Sequence, residues 1–204
     1  MIARFICSTL LLAVAASAPG WAQEEPDYGR TGYYVGGGLA IGREMFDEVF
    51  PADIDTGVGF DINAGYRVTE FWGAELDLRY MNAFDMNGDL IPETSRRPAF
   101  IRNVPSADLK SVRMLDITAN IAIYPLRGRI QPYIKAGAGV GWAQAKFTSV
   151  TTSGWDGVVR GGLGLDYYLT KHIVVNIEAL VLSTFDDING LDHISVVFGG
   201  RYRF

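Results

Sequence analysis

Few side chains in this 204-residue sequence are of the kind that make or break bonds. The histidines are His172 and His193, and the one cysteine is Cys7. His193 stands two positions before Ser195, a spacing that puts both side chains on the same face of an extended strand. Such a pair suits hydrolysis, with Ser195 as nucleophile and His193 as base, provided an acid orients the imidazole. Asp192 precedes the pair, but none of the nine residues after Ser195 is acidic. A three-residue pattern also arises easily by chance, so no catalytic residues are assigned and the chain reads as a non-enzyme. His172 reads as a solvated turn residue.

Oxygen ligands recur at Asp85, Asn87, Asp89 and Glu93, faintly like a calcium loop. Gly88 stands at the fourth position rather than the sixth and the final acid comes too early, so a plain turn around Asn87-Gly88 is the better reading. No metal and no cofactor is expected. The other charges show a more regular arrangement. Asp61, Glu75, Asp77, Asp116, Asp166 and Glu178, with Arg67, Arg79, Lys135, Arg160, Arg201 and Arg203, all fall on one parity of alternating segments. Six of each sign on one face argue for a paired network rather than a ring of one charge.

The elements that carry these charges have a period of two. Eight segments place an apolar residue at every second position, running through Tyr33–Ile41, Val58–Val68, Trp72–Tyr80, Leu115–Ile123, Ile134–Trp142, Val159–Tyr167, Ile173–Val181 and Ile194–Phe204. The 42 positions of that face are all Ala, Val, Ile, Leu, Phe, Tyr, Trp or Gly, while the 34 interleaved positions hold 12 charges and 11 glycines. A soluble sandwich would have a wet polar face rich in Lys, Glu and Thr. Glycine beside charge suits instead the crowded inside of a narrow barrel, with the uncharged face turned to lipid. The expected fold is an all-β, eight-stranded antiparallel up-and-down transmembrane β-barrel.

Composition agrees with that class. Charged residues make up 20% and hydrophobic ones 49%, too little charge for a disordered chain, and the net charge of −5 offers no basic footprint for nucleic acid. Met1–Ala22 reads as a signal peptide: Arg4, an apolar run over Leu10–Ala16, then Gly20-Trp21-Ala22 before a cut at Gln23. A cut after Ala18 and a retained helical anchor are the alternatives. Cys7 would leave with the leader, and residues 23–204 would form the barrel domain.

Connection lengths alternate. Thr69-Glu70-Phe71 and Leu169-Thr170-Lys171 are short, and Pro125 to Gln131 is moderate. Gly42–Gly57, Met81–Lys110, Gln144–Asp156 and Ser183–Asp192 read as long loops. Outward Tyr33, Tyr66, Trp72, Tyr167, Tyr202 and Phe204 fall at the short-turn end as an inner aromatic girdle, with Tyr80, Trp142 and Trp155 toward the other end as an outer one.

On these residues the chain resembles the small eight-stranded outer-membrane β-barrels of Gram-negative bacteria, the OmpA-barrel-like porin family. The resemblance runs from about Tyr28 to Phe204. Gly32-Tyr33-Tyr34-Val35-Gly36-Gly37-Gly38, Gly73-Ala74-Glu75-Leu76-Asp77-Leu78-Arg79-Tyr80, Gln131-Pro132-Tyr133-Ile134-Lys135-Ala136-Gly137-Ala138-Gly139 and Gly161-Gly162-Leu163-Gly164-Leu165-Asp166-Tyr167 carry it, with the ending Arg201-Tyr202-Arg203-Phe204. The resemblance implies an outer-membrane location, a periplasmic position for both termini, and Phe204 as the signal read by the barrel-assembly machinery. It implies outer-membrane lipid and lipopolysaccharide as surroundings, surface ligands for the long loops, and a monomer. No OmpA-type peptidoglycan-binding domain is expected after the eighth strand. Arg96, Arg97 and Arg102, or divalent ions held by Asp186, Asp187, Asn189 and Asp192, would meet lipopolysaccharide phosphates. The lumen charges imply either a sealed barrel with a role in envelope integrity or surface contacts, or a small gated channel. Some barrels of this size deacylate lipid A with an H-x-S pair, but that pair faces lipid whereas His193 and Ser195 share the lumen parity.

Overall fold

The computed structural model describes residues 28–44, 57–85, 109–147, 150–185 and 192–204. Alternation of side chains produces eight strands: β1 (Gly32–Glu44), β2 (Gly57–Arg67), β3 (Trp72–Asp85), β4 (Leu109–Ile123), β5 (Ile130–Phe147), β6 (Thr151–Tyr168), β7 (Ile173–Thr184) and β8 (His193–Arg203). Each pairs antiparallel with its neighbour in sequence, and β8 pairs with β1 to close the barrel. Closure leaves no open sheet edge in lipid, where an unsatisfied backbone group is costly.

The register fixes the barrel's shape. Stepping strand to strand across paired residues from Gly32 leads through Arg67, Gly73, Ala122, Lys135, Gly162, Leu180 and Ser195 to Gly42, ten positions further along β1. For eight strands that stagger tilts them to about 43° from the axis, at the upper end of the usual range.

Two short turns are built alike. Val68 and Thr69 donate backbone hydrogen bonds to Trp72 O, and Leu169 and Thr170 donate to Ile173 O. In each, the threonine hydroxyl accepts from two backbone amides further on: Phe71 and Trp72 in the first, His172 and Ile173 in the second.

The strands run further at the opposite end than the apolar pattern indicates. The expected Gln144–Asp156 loop is largely strand, since β5 continues to Phe147 and β6 begins at Thr151. The other long connections are trimmed in the same way, by β3 to Asp85, by β4 from Leu109 and by β7 to Thr184. The reason is an inversion of the pattern. Past the aromatic pair Trp142–Trp155, the outward positions of β4–β6 turn polar, with Arg113, Gln144, Lys146 and Ser153, while Val112, Met114, Ala143, Ala145 and Phe147 turn inward. The alternation persists, but its apolar side changes from lipid to lumen. Register shifts between Met81 and Phe84 and between Leu109 and Ser111 mark bulges at the same end.

Candidate functional site

The lumen collects the polar chemistry of the chain. All twelve charges assigned to the inward parity are buried, Arg79 and Asp77 completely. Most of them form one continuous network. Arg160 joins Asp116 to Asp77, at 2.8 Å from Asp77 Oδ2. Lys135 Nζ lies 3.0 Å from Asp77, 2.8 Å from Glu75 and 2.9 Å from Glu178. Arg201 then contacts Glu75 at 3.4 Å and Glu178 at 2.5 Å, and donates two bonds to Asp166. The Tyr133 hydroxyl donates to Glu178, and Asn120 donates to Asp77 at 3.1 Å. A second unit stands apart: Arg79 donates from Nε and Nη2 to Asp61 and from Nη1 to Ser195 Oγ at 2.7 Å.

Charge balance follows the barrel axis. The chain Asp116–Arg160–Asp77–Lys135–Glu75/Glu178–Arg201–Asp166 has five carboxylates and three cations. The two missing positive charges stand at the short-turn end. There Arg67 donates to Gln131 Oε1 and to the Thr69 and Glu70 carbonyls, with its guanidinium 3.5 Å over the Tyr124 ring. Arg203 donates to the Tyr168 hydroxyl and the Tyr28 and Arg30 carbonyls. Buried ions are tolerable only when paired and hydrogen-bonded in this way. Between these layers, a cavity bordered by Tyr34, Arg67, Asp166 and Arg203 measures about 10 Å³, room for about one water.

Inward glycines make space for the larger groups. A Cβ at Gly164 or Gly65 would strike the ring of Tyr133 or Tyr34, and one at Gly36 would meet Arg201 Cγ at 2.7 Å. Above the polar network lies a second filling that sequence reading missed. Ala40, Met81, Val112, Met114, Ala143, Ala145, Phe147, Val158, Leu180, Leu182 and Val197 pack as one buried apolar cluster. Eight of these lie outside the eight alternating segments, three of them (Met81, Ala145 and Phe147) in stretches the apolar-out pattern assigned to loops, so the signal was present but on the opposite parity.

His193 and Ser195 sit inside the barrel, both buried, with Ser195 Oγ accepting from Arg79. His172 is exposed in its turn, with Nδ1 2.7 Å from Arg203 O and its ring stacked on Tyr202. Tyr33, Tyr66, Trp72, Tyr80, Trp142, Tyr167 and Tyr202 all point outward; Tyr33 packs on Tyr66, and Tyr202 on Phe204. The Phe204 amide donates to Tyr33 O, and its exposed ring lies at the short-turn end. Asp192 Oδ1 accepts from the Thr184 amide. The expected leader, Asn87, Asp89, Glu93, Arg96, Arg97, Arg102, Asp186, Asp187 and Asn189 lie outside the described residues, as does the Asp85 side chain.

Solved structures share the architecture. Neisserial surface protein A superposes with a TM-score of 0.61 at 15% identity, covering 84% of this chain and 97% of its own. OprG from Pseudomonas aeruginosa gives 0.59 at 18% identity, over 88% and 99%. Ail, the attachment invasion locus protein of Yersinia pestis, gives 0.56 at 16%, over 86% and 100%. At such identities the likeness is one of fold. No curated protein matches the chain. A family model does, over residues 8–204, and it spans the strands, the lumen network and the closing aromatic residue. With an eight-stranded barrel closed around that network, the chain belongs to the outer membrane protein beta-barrel domain family.

Proposed function

We propose that this protein is a non-enzymatic component of a Gram-negative outer membrane, made with a cleaved leader and inserted as a monomer by the barrel-assembly machinery. Its lumen is structural filling, and its contacts with surface ligands are made through the long connections. These connections lie on the cell exterior and both termini in the periplasm. The observation that carries this reading is the pair of stacked fillings: a continuous ion network below and a buried apolar cluster above. An ion crossing the barrel would have to displace both. A hydrolytic role is disfavoured by the Arg79–Ser195 hydrogen bond, in which the guanidinium draws on a lone pair of the Oγ that would have to attack.

Planar-bilayer recordings test the reading. The refolded protein, shown to be folded in the same preparation, is expected to give no discrete openings. Reproducible openings that change when Glu75 or Arg79 is neutralised would instead make the network the gate of a small channel.

A further inference from the structure

The inversion of the pattern at the ends of β4, β5 and β6 creates a surface with a defined composition. Leu115, Trp142 and Trp155 lie side by side across three strands, all on the outer face. The next outward row is Arg113, Gln144 and Ser153, again in direct register. The row after that places Lys146 between Ser111 and Thr151. Arg113 and Lys146 are therefore diagonal neighbours on adjacent strands, about 7–8 Å apart and somewhat closer at Cβ, close enough for both long side chains to grip one group. Both are exposed, and among the described residues neither has an acidic partner.

Height decides what that group is. From Ile130 to Trp142, β5 climbs twelve steps. At about 3.3 Å per residue and the tilt above, this is roughly 29 Å, slightly more than the ~25 Å apolar band of such barrels. The aromatic row thus stands at the edge of the hydrocarbon, and the cations stand just beyond it. A cation turned outward at mid-depth is strongly disfavoured, a cost that falls close to zero at the interface. Indole below, with two cations, an amide and hydroxyls above, matches a lipid whose headgroup carries phosphate and sugar hydroxyls: ring against the first methylenes, charge-assisted hydrogen bonds to the phosphate, and neutral polar groups to the sugar.

We infer that Arg113 and Lys146, flanked by Gln144 and Ser153 and based on Trp142 and Trp155, form a binding site for a phosphate of a lipid A-type headgroup. The site is separate from the lumen. It rests on the proposed outward orientation of the long connections only for its place in the cell.

The test is a titration in detergent, where orientation has no influence. The folded protein is mixed with diphosphoryl lipid A, with phosphate-free lipid A and with inorganic phosphate, and binding is read from tryptophan fluorescence. Diphosphoryl lipid A is expected to bind; the R113Q/K146Q double variant is expected to bind it about tenfold or more weakly. Phosphate-free lipid A should bind the unaltered protein as weakly as the diphosphoryl form binds that variant. R127Q/K171Q, at the opposite rim, should leave affinity unchanged. Equal affinity in the R113Q/K146Q protein, undiminished binding of phosphate-free lipid A, or full competition by millimolar inorganic phosphate would each overturn the assignment. Gel mobility of unboiled samples shows that each variant is folded, so a failure to fold is not read as a loss of binding.

Discussion

Lys135 shows what a single residue does in this barrel. Its ammonium group lies within 3.0 Å of three carboxylates and is almost fully buried. Lys135→Met would leave Glu75, Asp77 and Glu178 facing one another with less positive charge between them, and it is expected to destabilise the folded barrel by roughly 3–5 kcal/mol. Urea unfolding in detergent micelles, followed by tryptophan fluorescence, measures this. The same removal at the exposed Arg127–Glu70 pair, with side chains 55% and 41% accessible, should change stability by at most about 1 kcal/mol, because water and salt already screen it. The inward direction of these charges was legible in the sequence, since parity alone assigns a face. Their partners were not. Lys135 reaches Glu75 on β3 and Glu178 on β7 across the lumen, contacts that depend on the stagger of the whole barrel rather than on spacing along the chain.

At the scale of the strand, the packing of glycine against aromatic rings is as important as the charges. Gly164 on β6 lies beneath the Tyr133 ring of β5, directly opposite in register. Gly164→Val would push that ring off and break its hydrogen bond to Glu178, with an expected loss of about 1–3 kcal/mol from overpacking. Gly161→Val, at an outward site where an added Cβ meets nothing within 4 Å, should be neutral in the same unfolding assay. Strand existence and facing were readable because lipid enforces a face free of charge over the full width of the membrane. Strand length was not, because an apolar-out template stops where lipid stops. In β5 the sequence Ala143-Gln144-Ala145-Lys146-Phe147 alternates perfectly well, but with the dry side inward, as in a barrel standing in water.

For the molecule as a whole, the closed ladder predicts resistance to detergent. The folded protein is expected to migrate faster on unboiled gels than on boiled ones, and identical mobility would count against closure. Closure also leaves one joint unlike the other seven. Every other pair of neighbouring strands is linked by the chain itself, whereas β1 and β8 are held by their ladder and by bonds such as those of Arg203 to the Tyr28 and Arg30 carbonyls. At the middle of that ladder Gly37 faces Gly200 and Gly38 faces Gly199, so there side chains add little to the backbone hydrogen bonds, while Val35–Tyr202 and Leu39–Phe198 pair on either side. What braces the joint comes from inside: Arg201 of β8 is anchored to Asp166 of β6, Glu75 of β3 and Glu178 of β7, with the Tyr34 ring of β1 5.6 Å from its guanidinium. Mechanically, the wall is a rolled sheet whose seam is a full ladder with no chain across it, braced from within by a tie-rod across the bore. A sideways pull in the membrane would load the seam's ladder and that rod before it loaded any turn, which makes the ionic filling of the lumen a second restraint against unrolling.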